Sequence, residues 1–118
     1  MNIIFVGIGG FLGAISRYLL NLALNPLYQL PIATLIVNTL GCLLIGILFG
    51  LNIDTKGSFY YFFGIGFLGS FTTMSAFTIQ AIDLNNTNSL LTSLSYILIT
   101  LLLTIIATIV GINISKQC

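Results

Sequence analysis

The residue types that carry out catalysis are scarce in this chain. Side-chain catalysis needs a nucleophile with a base, paired carboxylates or a cluster of metal ligands. The 118 residues include no His and no Glu, and the two carboxylates, Asp54 and Asp83, are separated by a long apolar run. The sequence therefore predicts that the protein is not an enzyme, and that it has no metal centre built from side chains.

Hydroxyl groups, in contrast, recur at helical spacing near the C-terminal end. An unbroken i, i+4 series runs through Thr92, Tyr96, Thr100, Thr104 and Thr108. Such a series stays on one side of a helix and drifts slowly around it. Two interpretations stay open: a continuous row of hydroxyl donors, or separate Thr side chains that bond back to their own helix.

Thr34 and Asn38 lie one helical turn apart within another apolar run. An Asn in apolar surroundings is costly unless its amide is paired. The amide of Asn38 is therefore either one partner of an interhelical hydrogen bond or a donor that lines a wet path.

The elements that carry these residues are membrane spans. Charged residues make up 4% of the chain, hydrophobic residues 58%, and the mean hydropathy is +1.16, whereas a soluble domain has about 25% charged residues. This composition excludes a soluble fold and a disordered chain. A net charge of +1 also argues against nucleic-acid binding. The continuous apolar runs favour helices over a β-barrel.

Four runs are long enough to span a bilayer. We predict an all-α integral membrane protein with one four-span domain over residues 1–118. The predicted spans cover about 3–24, 31–53, 59–82 and 90–114, with breaks at Asn25-Pro26, 52–57 and 83–88.

The third run has an unusual centre. Gly64, Gly66 and Gly69 are followed by a stretch of hydroxyl and β-branched residues, and each Gly costs about 1 kcal/mol in a helix. The run is therefore either a close-packed helix or a broken span that lines a cavity. Gly9-x-x-x-Gly13 and Gly46-x-x-x-Gly50 predict close helix packing.

Arg17 is the one charge inside an apolar run. It either extends to the membrane surface or acts as a fixed cation near a pore mouth. Lys56 and Lys116 fall on the side of the termini, so the positive-inside rule favours cytoplasmic termini by a margin of about one charge. That margin is compatible with insertion in either direction. With no carboxylate in a span, proton-coupled export is disfavoured.

Taken together, the segments resemble the Fluc (CrcB) family of small fluoride channels. The resemblance rests on Gly9-Gly10-Phe11-Leu12-Gly13-Ala14-Ile15-Ser16-Arg17-Tyr18, on Thr34-Leu35-Ile36-Val37-Asn38-Thr39-Leu40-Gly41, and on Gly66-Phe67-Leu68-Gly69-Ser70-Phe71-Thr72-Thr73-Met74-Ser75-Ala76-Phe77. It implies passive, selective fluoride export that protects a bacterial cell, through an antiparallel dual-topology dimer in the cell membrane. The alternative is a non-conducting or half-degraded partner subunit of a heterodimeric channel.

The same resemblance implies roles for individual residues. The expected fluoride path consists of Asn38, Met74, Ser75, Phe77, Tyr96, Thr100, Thr104 and Thr34. Arg17 takes the vestibule position, and a structural sodium ion at the dimer interface is held by the backbone carbonyls of Gly69 and Thr72. Hydroxyl and amide donors suit fluoride because they replace its water without trapping it as a buried cation would.

Three positions depart from the family pattern. Met74 stands where Phe is usual, Ala76 where Thr is usual, and Gln80 where many members have Glu. A Met presents no aromatic ring edge to an anion. These departures are the reason for keeping the heterodimer alternative, although the soft Met side chain could fill the same place in a working homodimer.

Overall fold

A computed structural model of the chain describes residues 1–24 and 31–118. The predicted break at Asn25-Pro26 lies outside the described residues. Within them the regular structure is helical, and four helices are long and apolar enough to cross a membrane. The elements are α1 (Asn2–Leu24), α2 (Ile32–Gly50), a π-helix π1 (Tyr60–Leu68), α3 (Gly69–Phe71), α4 (Met74–Thr87) and α5 (Leu90–Gln117). The all-α membrane fold predicted from the sequence is confirmed.

Three helix ends differ from the predicted spans by three residues or more. Helix α5 continues to Gln117 rather than ending near Ile114. Helix α2 ends at Gly50 rather than near Ile53, because Asn52 adopts a left-handed backbone with φ 50°, a conformation that ends helices. Helix α4 continues to Thr87, through most of the polar stretch that we predicted as a break. Asp83, Asn85 and Asn86 are exposed there, so the helix extends without burying polar groups.

Helix α2 lies at the centre of the bundle. Val37 and Ala33 are the most buried apolar residues of the described chain, with exposed fractions of 0% and 1%. Many Ile, Leu and Phe side chains on the outer faces are exposed, as expected where lipid replaces water around a spanning helix. Helix α2 packs mainly against α5, while α1 packs mainly against π1 and α3. The third span supplies most of the other buried apolar side chains, which are Leu68, Phe71, Phe77, Ala81 and Leu84.

Glycines set the distance between α1 and π1. A Cβ atom on Gly9 would collide with the carbonyl of Phe62, and one on Gly13 with the carbonyl of Phe67. On the facing helix, a Cβ atom on Gly66 would meet the carbonyl of Val6. The two backbones therefore touch directly, and the close packing predicted from Gly9-x-x-x-Gly13 is confirmed.

The contact between α2 and α5 is built in the same way. A Cβ atom on Gly46 would collide with the carbonyl of Thr108, and one on Gly111 with the carbonyl of Leu43. Gly50 faces Ile112 and the hydroxyl of Ser115. This pattern confirms the second predicted packing motif, Gly46-x-x-x-Gly50.

The third span, Tyr60–Thr87, is broken near its middle. Thr72 has ψ 155° and Thr73 has φ −147° and ψ 120°, so two consecutive residues are extended between α3 and α4. We call Thr72 and Thr73 the break. Of the two interpretations of the Gly-rich centre, the broken span is confirmed, while Gly66 also serves close packing.

The first half of this span is a π-helix of nine residues, Tyr60–Leu68. π-Helices are rare and usually a single turn long. Phe59, Phe63, Phe67 and Phe71 follow one another along it, with successive ring centroids 4.7, 6.4 and 5.7 Å apart. This row of rings stabilises the segment that leads into the break.

Candidate functional site

The break is fastened to α2 by one side chain. The Nδ2 of Asn38 donates to the carbonyl of Thr73 at 3.0 Å, and the amide of Thr73 donates to Oδ1 of Asn38 at 2.7 Å. Both bonds are buried, and Asn38 is 9% exposed. An extended residue inside a membrane has no helical partners for its backbone N–H and C=O groups. The side-chain amide of Asn38 replaces the missing partners of both groups of Thr73. The interhelical bond considered for Asn38 is therefore present, and its partner is main chain.

The hydroxyl of Thr73 starts the next helix. Its Oγ1 accepts from the amide of Ala76 at 3.3 Å and lies 3.3 Å from the hydroxyl of Ser75. This is the N-cap arrangement favoured by Thr. Thr73 was not among the predicted site residues. A Thr directly before a helical run is the signal that could have indicated it.

A cleft of about 360 Å³ opens beside the break. It is lined by residues from α2, from both halves of the third span and from α5. The lining includes seven predicted site residues, which are Asn38, Gly69, Thr72, Met74, Phe77, Thr100 and Thr104. None of the described residues that line it is charged. The fold therefore collects neutral polar groups and apolar side chains from three separate segments around one space.

Two residues on α4 that were predicted to lie on the fluoride path differ in exposure. Met74 is 66% exposed, whereas Phe77 is 6% exposed and lies against Tyr96, with ring centroids 5.4 Å apart. The Tyr96 hydroxyl donates to Oε1 of Gln80 at 3.2 Å. Ser75 is exposed and, like Tyr96, lies outside the lining of the cleft. Phe77, Tyr96 and Gln80 thus form one contact between α4 and α5.

The hydroxyl series on α5 divides into paired and unpaired members. Thr104 donates to the carbonyl of Thr100 at 2.8 Å, and Thr108 donates to that of Thr104 at 3.0 Å. Thr92 pairs with Ser89 at 3.0 Å. Oγ1 of Thr100 is buried and has no partner. For Thr104 and Thr108 the local back-bonding interpretation therefore applies, while Thr100 keeps a free hydroxyl beside the cleft.

Thr34 and Arg17 are not part of the cleft lining. Oγ1 of Thr34 is buried on α2 without a hydrogen-bond partner, and the residue is 1% exposed. Arg17 is half-buried toward the C-terminal end of α1. The carbonyl of Arg17 accepts from Nδ2 of Asn21 at 2.9 Å. The sequence grouped these two residues with the site, and within one chain they lie apart from it.

The carbonyls of Gly69 and Thr72 lose their helical donors at the break. The amide of Thr73, which would close an α-turn onto Gly69, is bonded to Asn38. The amide of Ala76, which would bond to Thr72, is capped by the Thr73 hydroxyl. Freed carbonyl oxygens are ligands suited to a hard cation. The donor set therefore fits the predicted sodium ion, and these two residues would hold it.

Fold and site together define a small multi-span membrane protein with a broken helix and an uncharged cleft that combines apolar and neutral polar side chains. Broken membrane helices of this kind are used to pass or bind ions. The family model described as CrcB-like protein, Camphor Resistance (CrcB), matches residues 4–112. The chain belongs to this family.

Named relatives match the chain along most of its length. The fluoride-specific ion channel FluC of Flavobacterium psychrophilum is 38% identical over 121 residues, covering 98% of each chain. That of Francisella philomiragia is 40% identical over 117 residues, covering 92% of this chain and 90% of the relative. The fluoride-specific ion channel FluC 1 of Halalkalibacterium halodurans is 38% identical over 122 residues, covering 94% of each. The family is one of ion channels and not of enzymes, and the chain is a multi-pass membrane protein with bacterial relatives.

Proposed function

We propose that this protein is a fluoride-selective channel through which fluoride leaves the cell passively, down its electrochemical gradient. The observation that carries the proposal is the cleft beside the break. Its lining is uncharged and includes one hydroxyl without a partner, on Thr100, which is a neutral donor of the kind that a small, strongly hydrated anion needs. The chain also matches FluC channels over nearly its full length.

Within this proposal the free hydroxyl of Thr100 faces the ion. The buried ring of Phe77 presents its positive edge to it. Asn38 holds the break in place through its Oδ1 and one N–H of its Nδ2, which are bonded to Thr73, and the second N–H of Nδ2 is a donor that the ion can use. Arg17, toward the C-terminal end of α1, raises the local concentration of anions without binding them deeply.

The proposed working unit is an antiparallel dimer. One chain leaves Gly69, Met74 and Ser75 exposed beside freed backbone groups at membrane depth. Polar backbone in contact with lipid costs several kcal/mol per group. A second copy, inserted in the opposite direction, covers these groups and places two freed pairs of carbonyls, from Gly69 and Thr72, around one sodium ion. The small charge bias of the loops permits this opposed insertion.

Reconstitution tests the proposal directly. Liposomes loaded with potassium fluoride and containing the protein should release fluoride on addition of a potassium ionophore, measured with a fluoride electrode. Liposomes loaded with chloride should release little. No fluoride release from the protein alone would overturn the proposal. Release that appears only with a paralogous subunit would favour the partner-subunit alternative.

Asn38→Asp adds a specific expectation. The carboxylate removes the donor to the Thr73 carbonyl and places a negative charge beside the cleft, so fluoride efflux should fall about tenfold or more. Asn85→Asp makes the same change at an exposed position on α4 and should leave the rate unchanged. An equal rate for wild type and Asn38→Asp would mean that Asn38 does not influence the ion path.

A further inference from the structure

Two sulfur-containing residues line the same cleft. The chain has two Cys and two Met, and one of each, Cys42 on α2 and Met74 on α4, line the cleft beside the break. Both cysteines carry free thiols. Cys42 is half-buried on the cleft wall and borders an open space.

The contacts around the break hold the two sulfur-bearing segments together. Asn38, one helical turn before Cys42, is bonded twice to Thr73, the residue directly before Met74. Gly41 is in contact with the side chain of Thr72. The part of α2 that carries Cys42 is therefore fixed against the start of α4, where the unbranched Met74 side chain has three rotatable bonds with which it can adapt to a ligand in the cleft.

The donor set selects one class of metal ion. A thiolate and a thioether are soft ligands, which prefer monovalent copper and silver over hard cations. The chain has no His, and its described residues contain no group of three His, Cys, Asp or Glu, so a zinc site is not available there. The buried, unpartnered hydroxyl of Thr100 borders the same cleft and adds a weak oxygen donor.

We propose that Cys42 and Met74 form a two-sulfur site for a soft monovalent metal ion, and that its occupation blocks the cleft. Binding of Ag⁺ breaks the S–H bond of Cys42 and forms an S–Ag bond, and the released proton passes to the solvent. The thioether of Met74 completes the coordination as a neutral donor. The blocking effect rests on the proposed function, whereas the metal site does not.

Silver binding tests the site without any assay of transport. The reference is the Cys118→Ser protein, which removes the exposed terminal thiol, purified in detergent and chloride-free buffer. It should bind one Ag⁺ per chain by equilibrium titration. Adding Cys42→Ser or Cys42→Ala should abolish that binding, and adding Met74→Leu should weaken it about tenfold or more. Met1 is present in every variant and serves as the control for a thioether outside the cleft.

Fluoride efflux then tests the block. Silver nitrate at the concentration that fills the site should stop fluoride efflux from liposomes containing the Cys118→Ser protein. In liposomes containing a Cys42 variant, the efflux rate with silver should equal the rate of the same variant without silver. Silver binding that survives loss of Cys42, or that is unaffected by Met74→Leu, would overturn the two-sulfur site. Binding with these dependences but no fluoride efflux at all would sink the proposed function and leave the site standing. Efflux that silver does not slow, despite bound metal, would overturn the block.

Discussion

The α1–π1 contact and the break are held by opposite means. In the first, Gly9, Gly13 and Gly66 remove side chains so that two backbones touch. In the second, the backbone has lost its helical bonds, and the side chain of Asn38 is added to replace them. The first region leaves no room for a solute, while the second opens onto the cleft. The close backbone contact between α1 and π1 thus holds the first half of the third span rigidly in place. Because that half is fixed, the span can be interrupted at the break and leave the cleft open beside it.

The largest effect is expected from adding one methyl group at the glycine contact between α1 and π1. In Gly13→Ala the new Cβ would collide with the backbone carbonyl of Phe67, which cannot turn aside as a side chain can. We expect a loss of about 3 kcal/mol or more in the free energy of unfolding, measured by thermal or denaturant unfolding in detergent. Gly7→Ala is the matched control, because nothing lies within 4 Å of its added Cβ. Equal stability of the two variants would contradict the close contact.

The break is tested by Asn38→Ala. It leaves the buried amide and carbonyl of Thr73 without partners, and each buried unsatisfied group costs about 1–3 kcal/mol. We expect about 2–4 kcal/mol of destabilisation on this basis, together with faster hydrogen exchange at the Thr73 amide. Thr39→Ala is a suitable control, since its hydroxyl bonds only to its own helix, at the carbonyl of Leu35. Unchanged exchange at Thr73 would mean that other groups hold the break.

A smaller effect is expected where α4 meets α5. The buried hydroxyl of Ser93 donates to the carbonyl of Ala81 at 2.6 Å, so Ser93→Ala should cost about 1 kcal/mol. Ser95→Ala, at an exposed position on the same helix, should change stability by less than about 0.5 kcal/mol. If both variants unfold like the wild type, this side-chain bond adds nothing to the helix contact.

Composition and spacing predicted much of this structure. Apolar runs of spanning length indicated four membrane helices, and the two small-residue motifs indicated where backbones meet. The low helix propensity at the centre of the third span indicated a break as one of two interpretations, and propensity alone did not distinguish a broken span from a closely packed helix. These features depend on local sequence, which is why the sequence alone could indicate them.

The partners at the site could not be predicted in the same way. Whether Asn38 faced an ion or the main chain depended on where the extended backbone of Thr73 would lie, which is a tertiary property. The spacing of the hydroxyl series did not distinguish Thr100, which has no partner, from Thr104, which bonds to its own helix. The π-helix also gives no clear sequence signal, because π-helices are rare and arise from a change in backbone hydrogen bonding within a helical run.

The bonds between Asn38 and Thr73 also bear on the order in which the protein is made. Chains emerge from the ribosome with the N-terminal part first, so α2 is synthesised before the break. When Thr73 leaves the translocation machinery with its backbone groups unpaired, the amide of Asn38 already stands in the membrane as their partner. Because the second span is inserted first, its Asn38 side chain is available to pair with the N–H and C=O of Thr73 as the third span enters the membrane. These backbone groups then do not face lipid without a hydrogen-bond partner.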